Sequence, residues 1–407
     1  MIVGGGFAGL HLVRHLERAL RRGEADVTLL DRNNYHLFTP LLYQVATGEL
    51  PPHAVAYPLR RATATARFRF INSEVEAIDL EQRLVQTADG PLPYDYAVLT
   101  PGSVSNDYGI AGVTAHTLPL KELGDGLAVR GRILASFEEA SRERDPARRK
   151  ELLTFVIIGA GPVGVELATS LRELVDHSLR PMYPEIDVAR DVEIVLLDGS
   201  DRVLPRMDDR LGRIAARRLE RQRIRVLLRT FVTEVVPGRV RTRDGAEHAG
   251  HTLVWAGGVR VSPLAAALPA ERSHDGRLLV DEALRLRGRT EVFCCGDAAY
   301  VEVKGQPLAQ LAQVAVVEAP AVAANIVRAL RGAPLVPYRH KEKGDLIALG
   351  RTNAGARLGN VVFEGLPAWT VWRGNYLLQL LGVRNRATLL AEWVLSYFFT
   401  RMVANTP

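Results

Sequence analysis

Cysteine is almost missing from these 407 residues: there are two, Cys294 and Cys295, side by side. That excludes a disulfide framework. A redox dithiol of the C-x-x-C type is disfavoured as well, because neighbouring residues on a strand point to opposite faces. The pair reads as small buried apolar side chains on a core strand. Lysine is scarce too, five among 52 basic residues, so the net charge of +6 is an arginine charge. The arginines are scattered (Arg60, Arg61, Arg148, Arg149, Arg217, Arg218, Arg221, Arg223), with no aromatic-studded basic stripe of the kind that stacks bases, so no nucleic-acid partner is expected. Long apolar runs are missing: no stretch reaches the roughly 18 uninterrupted apolar residues of a membrane span. No low-complexity tract interrupts an ordinary globular composition, 47% apolar and 24% charged, long enough for two or three domains.

What the chain does have is a duplication. GGGFAGL runs from Gly4 to Leu10 and GAGPVGVE from Gly159 to Glu166, each after an apolar β-branched run (Ile2 and Val3; Phe155 to Ile158) and each opening a helical stretch. That context turns a weak motif into a usable dinucleotide fingerprint. Gly4 and Gly159 allow the tight turn, Gly6 and Gly161 let the backbone approach a pyrophosphate, and Gly9 and Gly164 permit close helix packing. The phosphates would rest on the helix N-termini, where free N–H groups point. A fingerprint also needs an acid closing the second strand, for the ribose hydroxyls. Asp31 lies 22 residues after Gly9, and Asp198 lies 34 after Gly164. The excess in the second copy comes from an insertion near 176–191, where Pro181 and Pro184 are expected to break any helix. An acid at this position favours NAD(H) over its 2′-phosphorylated form, although Arg202 nearby leaves that choice open. A chain holding two dinucleotides carries a donor and an acceptor.

Coarsely, a βαβ start is followed by a loop-rich middle and a strand at Ala97 to Thr100. A long charged helix from Lys121 to Glu151 precedes the second cradle, whose unit closes with Thr252 to Trp255 and the Ala256-Gly257-Gly258 turn. The strand Glu291 to Cys294 then meets Gly296, Asp297 and Ala298, and a small-residue helix spans about Leu308 to Leu330, with Pro320 expected to bend it. With the N-terminus already inside the first cradle, no signal peptide is expected.

This layout, a first nucleotide domain interrupted by a second and resumed at Gly-Asp, resembles the two-dinucleotide-binding flavoprotein superfamily. Within it the chain resembles the type II NADH dehydrogenases, single-subunit non-pumping NADH:quinone oxidoreductases, over essentially its full length. The marks are GGGFAGL, DRNNYHLFTPLLYQVATGEL at Asp31 to Leu50, LTPGS at Leu99 to Ser103, GAGPVGVELA, VWAGGV at Val254 to Val259, CGDAA, GLPAWTVWR at Gly365 to Arg373 and GVRNR at Gly382 to Arg386. The resemblance implies an α/β fold in which an FAD domain (1–120 and 260–335) is interrupted by an NADH domain (121–259), with a C-terminal segment (336–407) of helices for a membrane surface or a dimer contact. It implies FAD contacts from Gly4, Gly6, Phe7, Ala8, Gly9, Asp31, Arg32, Gln44, Thr100, Gly102, Gly296, Asp297 and Ala298. NADH contacts would come from Gly159, Gly161, Pro162, Gly164, Glu166, Asp198, Ala256, Gly257 and Gly258, and no metal is expected. Glu166 matches the family's glutamate near the nicotinamide; the residues alone also allow an acid near a helix N-terminus. Lys121 and Lys343 both read as surface; the resemblance implies, for Lys343 in the KEKGD run, an approach to the flavin or quinone side instead.

One departure stands out. The family's quinone-side Ala-Gln pair is present as Ala312 and Gln313, but the Gln expected four residues later is Val317. A soluble reductase with a protein acceptor, or a non-catalytic NADH sensor, therefore stays open beside the quinone reading. A sulfide-oxidising relative is disfavoured, since it would need cysteines on the acceptor side.

Three of four tryptophans, Trp369, Trp372 and Trp393, fall near the C-terminus with Tyr376, Tyr397, Phe398 and Phe399. Leu390, Trp393, Val394, Tyr397, Phe398 and Met402 recur at helical spacing, flanked by Arg373, Arg384, Arg386 and Arg401. An interfacial helix on the cytoplasmic face of the cell membrane fits this pattern, and so does a homodimer face or a helix packed on its own domain.

Overall fold

A computed structural model of the chain describes residues 1–63, 68–399 and 401, apart from the side chain of Tyr397. That side chain and Met402, both part of the expected C-terminal face, lie outside the described residues. The chain divides into two compact units, each assembled from separated segments.

The first unit comprises Met1–Leu37, Ala56–Val104 and Val259–Glu342. Its centre is a parallel five-stranded sheet in the order Val292–Cys294, Ala97–Leu99, Ile2–Val3, Val27–Asp31, Phe68–Asn72. The two-residue strand Ile2–Val3 holds the middle, paired in register with Leu29 and Leu30 on one side and Val98 and Leu99 on the other. Val292–Cys294, Ala97–Leu99 and Ile2–Val3 are wholly buried apolar runs, whereas the edge strand Phe68–Asn72 alternates and exposes Arg69. The helices Phe7–Ala19 and Ala312–Leu330 pack against each other. Over the sheet lies an antiparallel ribbon (Val75–Asp79, Leu84–Thr87, Gly90–Pro93), whose Ile78 and Val85 join Ala97, Leu99 and Val292 in one apolar core. Cys294 and Cys295 are buried and free, and burial raises both thiols.

The second unit comprises Phe38–Val55, Ser105–Gly258 and Lys343–Pro407. Its sheet is also parallel: Leu118–Pro119, Thr252–Trp255, Thr154–Ile158, Glu193–Leu197, Arg225–Leu227. An antiparallel hairpin pair (Val232–Val236, Arg239–Thr242, Glu247–Ala249) adds Val235 and Val240 to its core. The division differs from the expected one. Residues 38–55 and 105–120 fall in the second unit rather than the first, 336–342 fall in the first, and 343–407 form no separate segment. Buried polar pairs hold 38–55 and the C-terminal residues together: Trp393 Nε1 donates to Gln44 Oε1 at 3.1 Å, and Arg401 meets Glu49 at 3.1 Å.

Three local expectations are corrected. The helix expected from Lys121 to Glu151 is two helices, Leu123–Arg142 and Pro146–Leu152. Asp145 caps the second through the Ala147 N–H, and Pro146 takes the first helical position, where its missing N–H costs nothing. Conversely, Pro181 does not break the helix after the second cradle. Pro162–Leu174 passes into a π-helical turn at Val175–Leu179 and on through Arg180–Met182. The wider turn is the kind of register change that accommodates a proline. Finally, the helix expected from about Leu308 begins at Ala312. It is the one helix among the described residues long and apolar enough, by length and composition, to cross a membrane, yet half of that stretch is buried inside its unit.

Candidate functional site

In the first cradle the chain leaves Val3 and turns at Gly4, where φ is +106° and a Cβ would lie 2.2 Å from Thr100 O. Only glycine fits there. A Cβ on Gly9 would lie 1.9 Å from Gly4 O, whereas one on Gly6 would meet nothing within 4 Å. The loop is therefore packed tight on its protein side and open above Gly6, the arrangement a pyrophosphate needs at a helix N-terminus. Thr100 Oγ1 donates to Val3 O and Gly4 O, both at 2.9 Å. Asp31 Oδ2 accepts the Gly5 N–H at 2.6 Å and Oδ1 the Asn33 N–H at 2.7 Å, so the carboxylate ties the strand end to the loop. His36, pushed down to about 4 by burial, is neutral; its Nδ1 lies 3.2 Å from Gly5 O and its ring stands edge-on to Phe7. Ala8 packs beneath Gly296: a Cβ there would lie 3.3 Å from that of Ala8. Arg32 is exposed and Ala298 fully buried.

Asp297 accepts a short hydrogen bond from Ser103 Oγ, just past Gly102, and Gln310 Nε2 donates to the Asp297 carbonyl at 3.0 Å. Behind this turn stands a residue that sequence reasoning missed. Glu318, 1% exposed, accepts the Gly296 N–H at 2.6 Å, and burial pushes its carboxyl up to about 8. The signal for it was a lone acid in an otherwise apolar helical run, VAVVEAPAV. Gln313 is half-buried in the first turn of that helix, and Val317 is half-buried one turn further on.

The second cradle repeats the first almost atom for atom. Gly159 has φ +115° with a hypothetical Cβ 2.3 Å from Ala256 O, Gly164 would clash with Gly159 O at 1.8 Å, and Gly161 faces open space. Pro162 opens the helix. Asp198 Oδ2 accepts the Ala160 N–H at 2.5 Å and Oδ1 the Ser200 N–H at 2.7 Å. Arg202 is paired with Asp209 and donates to Pro205 O at 2.8 Å, so the guanidinium is committed away from a 2′-phosphate. The Ala256 turn is braced by Tyr108, whose hydroxyl donates to Gly257 O at 3.0 Å, and by the Asn106 N–H, which donates to Gly258 O at 3.0 Å.

Glu166 sits on the second-cradle helix, 6% exposed. Its Oε1 accepts the Ala348 N–H at 3.1 Å, and burial pushes it up to about 8, so it holds a proton at neutral pH. Gln44 is buried with its amide engaged at both ends, donating to Tyr43 OH at 3.1 Å and accepting from Trp393. Two of the C-terminal tryptophans turn inward, onto their own unit. Trp393 and Trp372 are 1% and 2% exposed, and Trp369 donates to Arg351 O at 2.6 Å. Arg373 stacks over Trp369 and Trp393 at 4.2 and 4.6 Å.

Paired cradles of this geometry, each with its own acid, define a pyridine-nucleotide flavoprotein oxidoreductase, and residues 1–319 match the family model described as pyridine nucleotide-disulphide oxidoreductase. Two proteins of Mycobacterium tuberculosis, the type II NADH:quinone oxidoreductases Ndh and NdhA, are 35% and 34% identical to this chain. Each match spans 98% of it, and 88% and 86% of the relatives. NDH2 from Plasmodium falciparum, solved in complex with NADH, shares the fold at a TM-score of 0.90 and 18% identity over 99% of both chains. The chain belongs to the type II NADH:quinone oxidoreductase family.

Proposed function

We propose that this protein oxidises NADH and reduces a membrane quinone without pumping protons, with FAD in the first cradle and NADH in the second. The observation that carries the reading is the duplicated cradle: two loops packed tight at Gly9 and Gly164, open at Gly6 and Gly161, and tied to Asp31 and Asp198. FAD supplies a carrier that accepts two electrons as hydride and passes them to acceptors that take electrons and protons separately. Around it, Asp31 and Asp297 fit ribose and ribityl hydroxyls, and the Gly6 loop fits the pyrophosphate. Glu166 supplies a proton donor next to the second cradle, and Gln313 a polar contact on the acceptor side. The test is anaerobic flavin bleaching by NADH followed by addition of a short-chain quinone. Bleaching, quinone-dependent reoxidation and sustained turnover support the reading. Bleaching without reoxidation overturns it and moves the acceptor to a protein.

We further propose that the helix Val383–Phe398 rests on an anionic membrane surface. Leu389 and Trp393 turn inward, while Leu390, Val394 and Phe398, four residues apart, are 51%, 48% and 77% exposed. Leu378, Val383 and Phe399 extend this apolar face, and the exposed Arg384 flanks it. Each apolar side chain removed from water contributes about 1.5 kcal/mol or more. The pair Leu390→Glu and Phe398→Glu should therefore weaken binding to anionic vesicles by about a hundredfold in a sedimentation assay. Unchanged sedimentation would dismiss the membrane contact, and loss of a dimer instead would assign the face to a second copy.

A further inference from the structure

Besides Glu166, and Asp191 with its partner Arg190, the second unit encloses two acids that neither cradle uses. Glu49 and Glu173 side chains are 4% and 11% exposed, and both face one cation, Arg401, whose Nη2 lies 3.1 Å from Glu49 Oε2 and 3.9 Å from Glu173 Oε2. The remaining neighbours are fixed. The Arg351 N–H donates to both Glu173 oxygens at 2.9 and 2.7 Å, and Arg218 Nη2 stands 3.7 Å from Glu173 Oε1. Arg401 Nη1 donates to Thr47 O at 3.2 Å and Ser170 O at 3.4 Å. Arg401 is close only to Glu49, whereas neither guanidinium beside Glu173 comes nearer than 3.7 Å, so the Glu49 charge favours a proton on Glu173. Burial first, then the Glu49 charge, pushes Glu173 up to about 7.

One pocket is lined both by Glu49 of this cluster and by Ala348, whose N–H binds Glu166, together with Ser170, Tyr43, Trp369 and Trp372. Trp372 Nε1, in a residue 2% exposed, has no hydrogen-bond partner among the described residues. A buried N–H on a pocket wall calls for a small polar acceptor, and water is the one that fits a proton path. Tyr43 completes the path. Its hydroxyl accepts from Gln44 Nε2, which leaves its own proton to give, and burial first, then the Glu166 and Glu49 charges, hold that proton on it. Glu166 itself accepts the Ala348 N–H, and its charge is felt by the Tyr43 and Tyr376 hydroxyls, both raised chiefly by burial.

We propose that Glu173, Glu49 and Tyr43 form a proton relay that restores Glu166 through water in this pocket. The proposal rests on the NADH:quinone reading. There, NADH, quinone and one proton give NAD⁺ and quinol. The hydride brings both electrons and one hydrogen, and the second hydrogen comes from solvent. Glu166 gives up that proton and is left as a carboxylate; Glu173, the more exposed of the two outer acids, takes a proton from solvent, and the relay passes one to Glu166. These three are positioning and relay groups.

The test uses flavin-loaded Tyr43→Phe and Glu173→Gln proteins, two changes that keep shape and leave the Arg351 N–H an acceptor. Bleaching by NADH, which takes no solvent proton, should proceed within about twofold of the unmodified rate. Quinone-driven reoxidation should slow on the order of tenfold, with a larger D₂O effect. Without turnover, infrared spectra across a pH titration should show protonated-carboxyl bands titrating near 7 and near 8, and Glu173→Gln should remove the first. Unmodified reoxidation rates and D₂O effects in both variants overturn the relay, as does an unchanged infrared titration in Glu173→Gln. Failure of the unmodified protein to bleach with NADH or to reoxidise with quinone overturns the parent reading instead.

Discussion

Glutamine in place of Glu166 lowers NADH:quinone turnover by about a hundredfold, the low end of what a positioned proton donor contributes, while bound flavin stays at the unmodified stoichiometry. The separation follows from where the side chain is. Glu166 contacts the Ala348 N–H inside the second unit, and the glutamine oxygen can accept the same bond, so the local packing survives. What is lost is the exchangeable proton. The pH dependence gives an independent sign. Burial holds Glu166 at about 8, above the usual carboxyl range, so the proton is present below that pH and is lost as pH rises through it. The kcat profile of the unmodified enzyme should fall on its alkaline side near 8, and the variant should lose that limb. Unchanged kcat together with an unchanged profile would remove Glu166 from the chemistry and leave it a buried anchor for Ala348.

Alanine at Gly164 and at Gly161, three residues apart, gives different outcomes for the fold. At Gly164 the new Cβ lies 1.8 Å from Gly159 O, backbone that cannot retreat without opening the turn. The cost is that of overpacking, about 1–3 kcal/mol, read as a lower denaturation midpoint, with NADH affinity lost alongside. At Gly161 the backbone is extended (φ −72°, ψ −176°) and the Cβ meets nothing within 4 Å, so the fold is untouched. The methyl nevertheless fills the space through which a pyrophosphate approaches the helix N-terminus, and KM for NADH should rise by roughly tenfold. Flavin content and melting should not change. A Gly161→Ala enzyme with unaltered KM would place NADH somewhere other than this loop.

The parts of the site legible in sequence are those where geometry permits one residue type. Gly4 and Gly159 sit at positive φ against a carbonyl, and Asp31 and Asp198 close their strands by binding loop N–H groups; spacing alone reveals them. The break at Asp145-Pro146 carries cap and first-turn signals, which the charged helical pattern on both sides outweighs. The π-turn was not legible, because nothing in Val175–Leu179 marks a changed hydrogen-bond register. Helical spacing in the C-terminal segment shows that a face exists without saying whether it turns inward. There Trp393 and Leu390, three residues apart, part company, one buried and one exposed. Glu49 with Arg401 could not be read at all, since a buried ion pair joining residues 352 apart leaves no local pattern.

The strand register of the first unit also sets an order of events in time. Val292 pairs with Ala97, and Cys294 with Leu99, so one neighbour of the Ala97–Leu99 strand is made long after the rest of the sheet. At synthesis rates of about 5–20 residues per second, the nascent chain waits roughly 10–40 s between the two. During that interval Ala97–Leu99 presents an unpaired, wholly apolar edge, and the Gly-Asp turn that completes the first cradle does not yet exist. A ribosome stalled anywhere in this window holds a half-built sheet, open to mispairing and dependent on chaperones, that has no means of keeping a flavin.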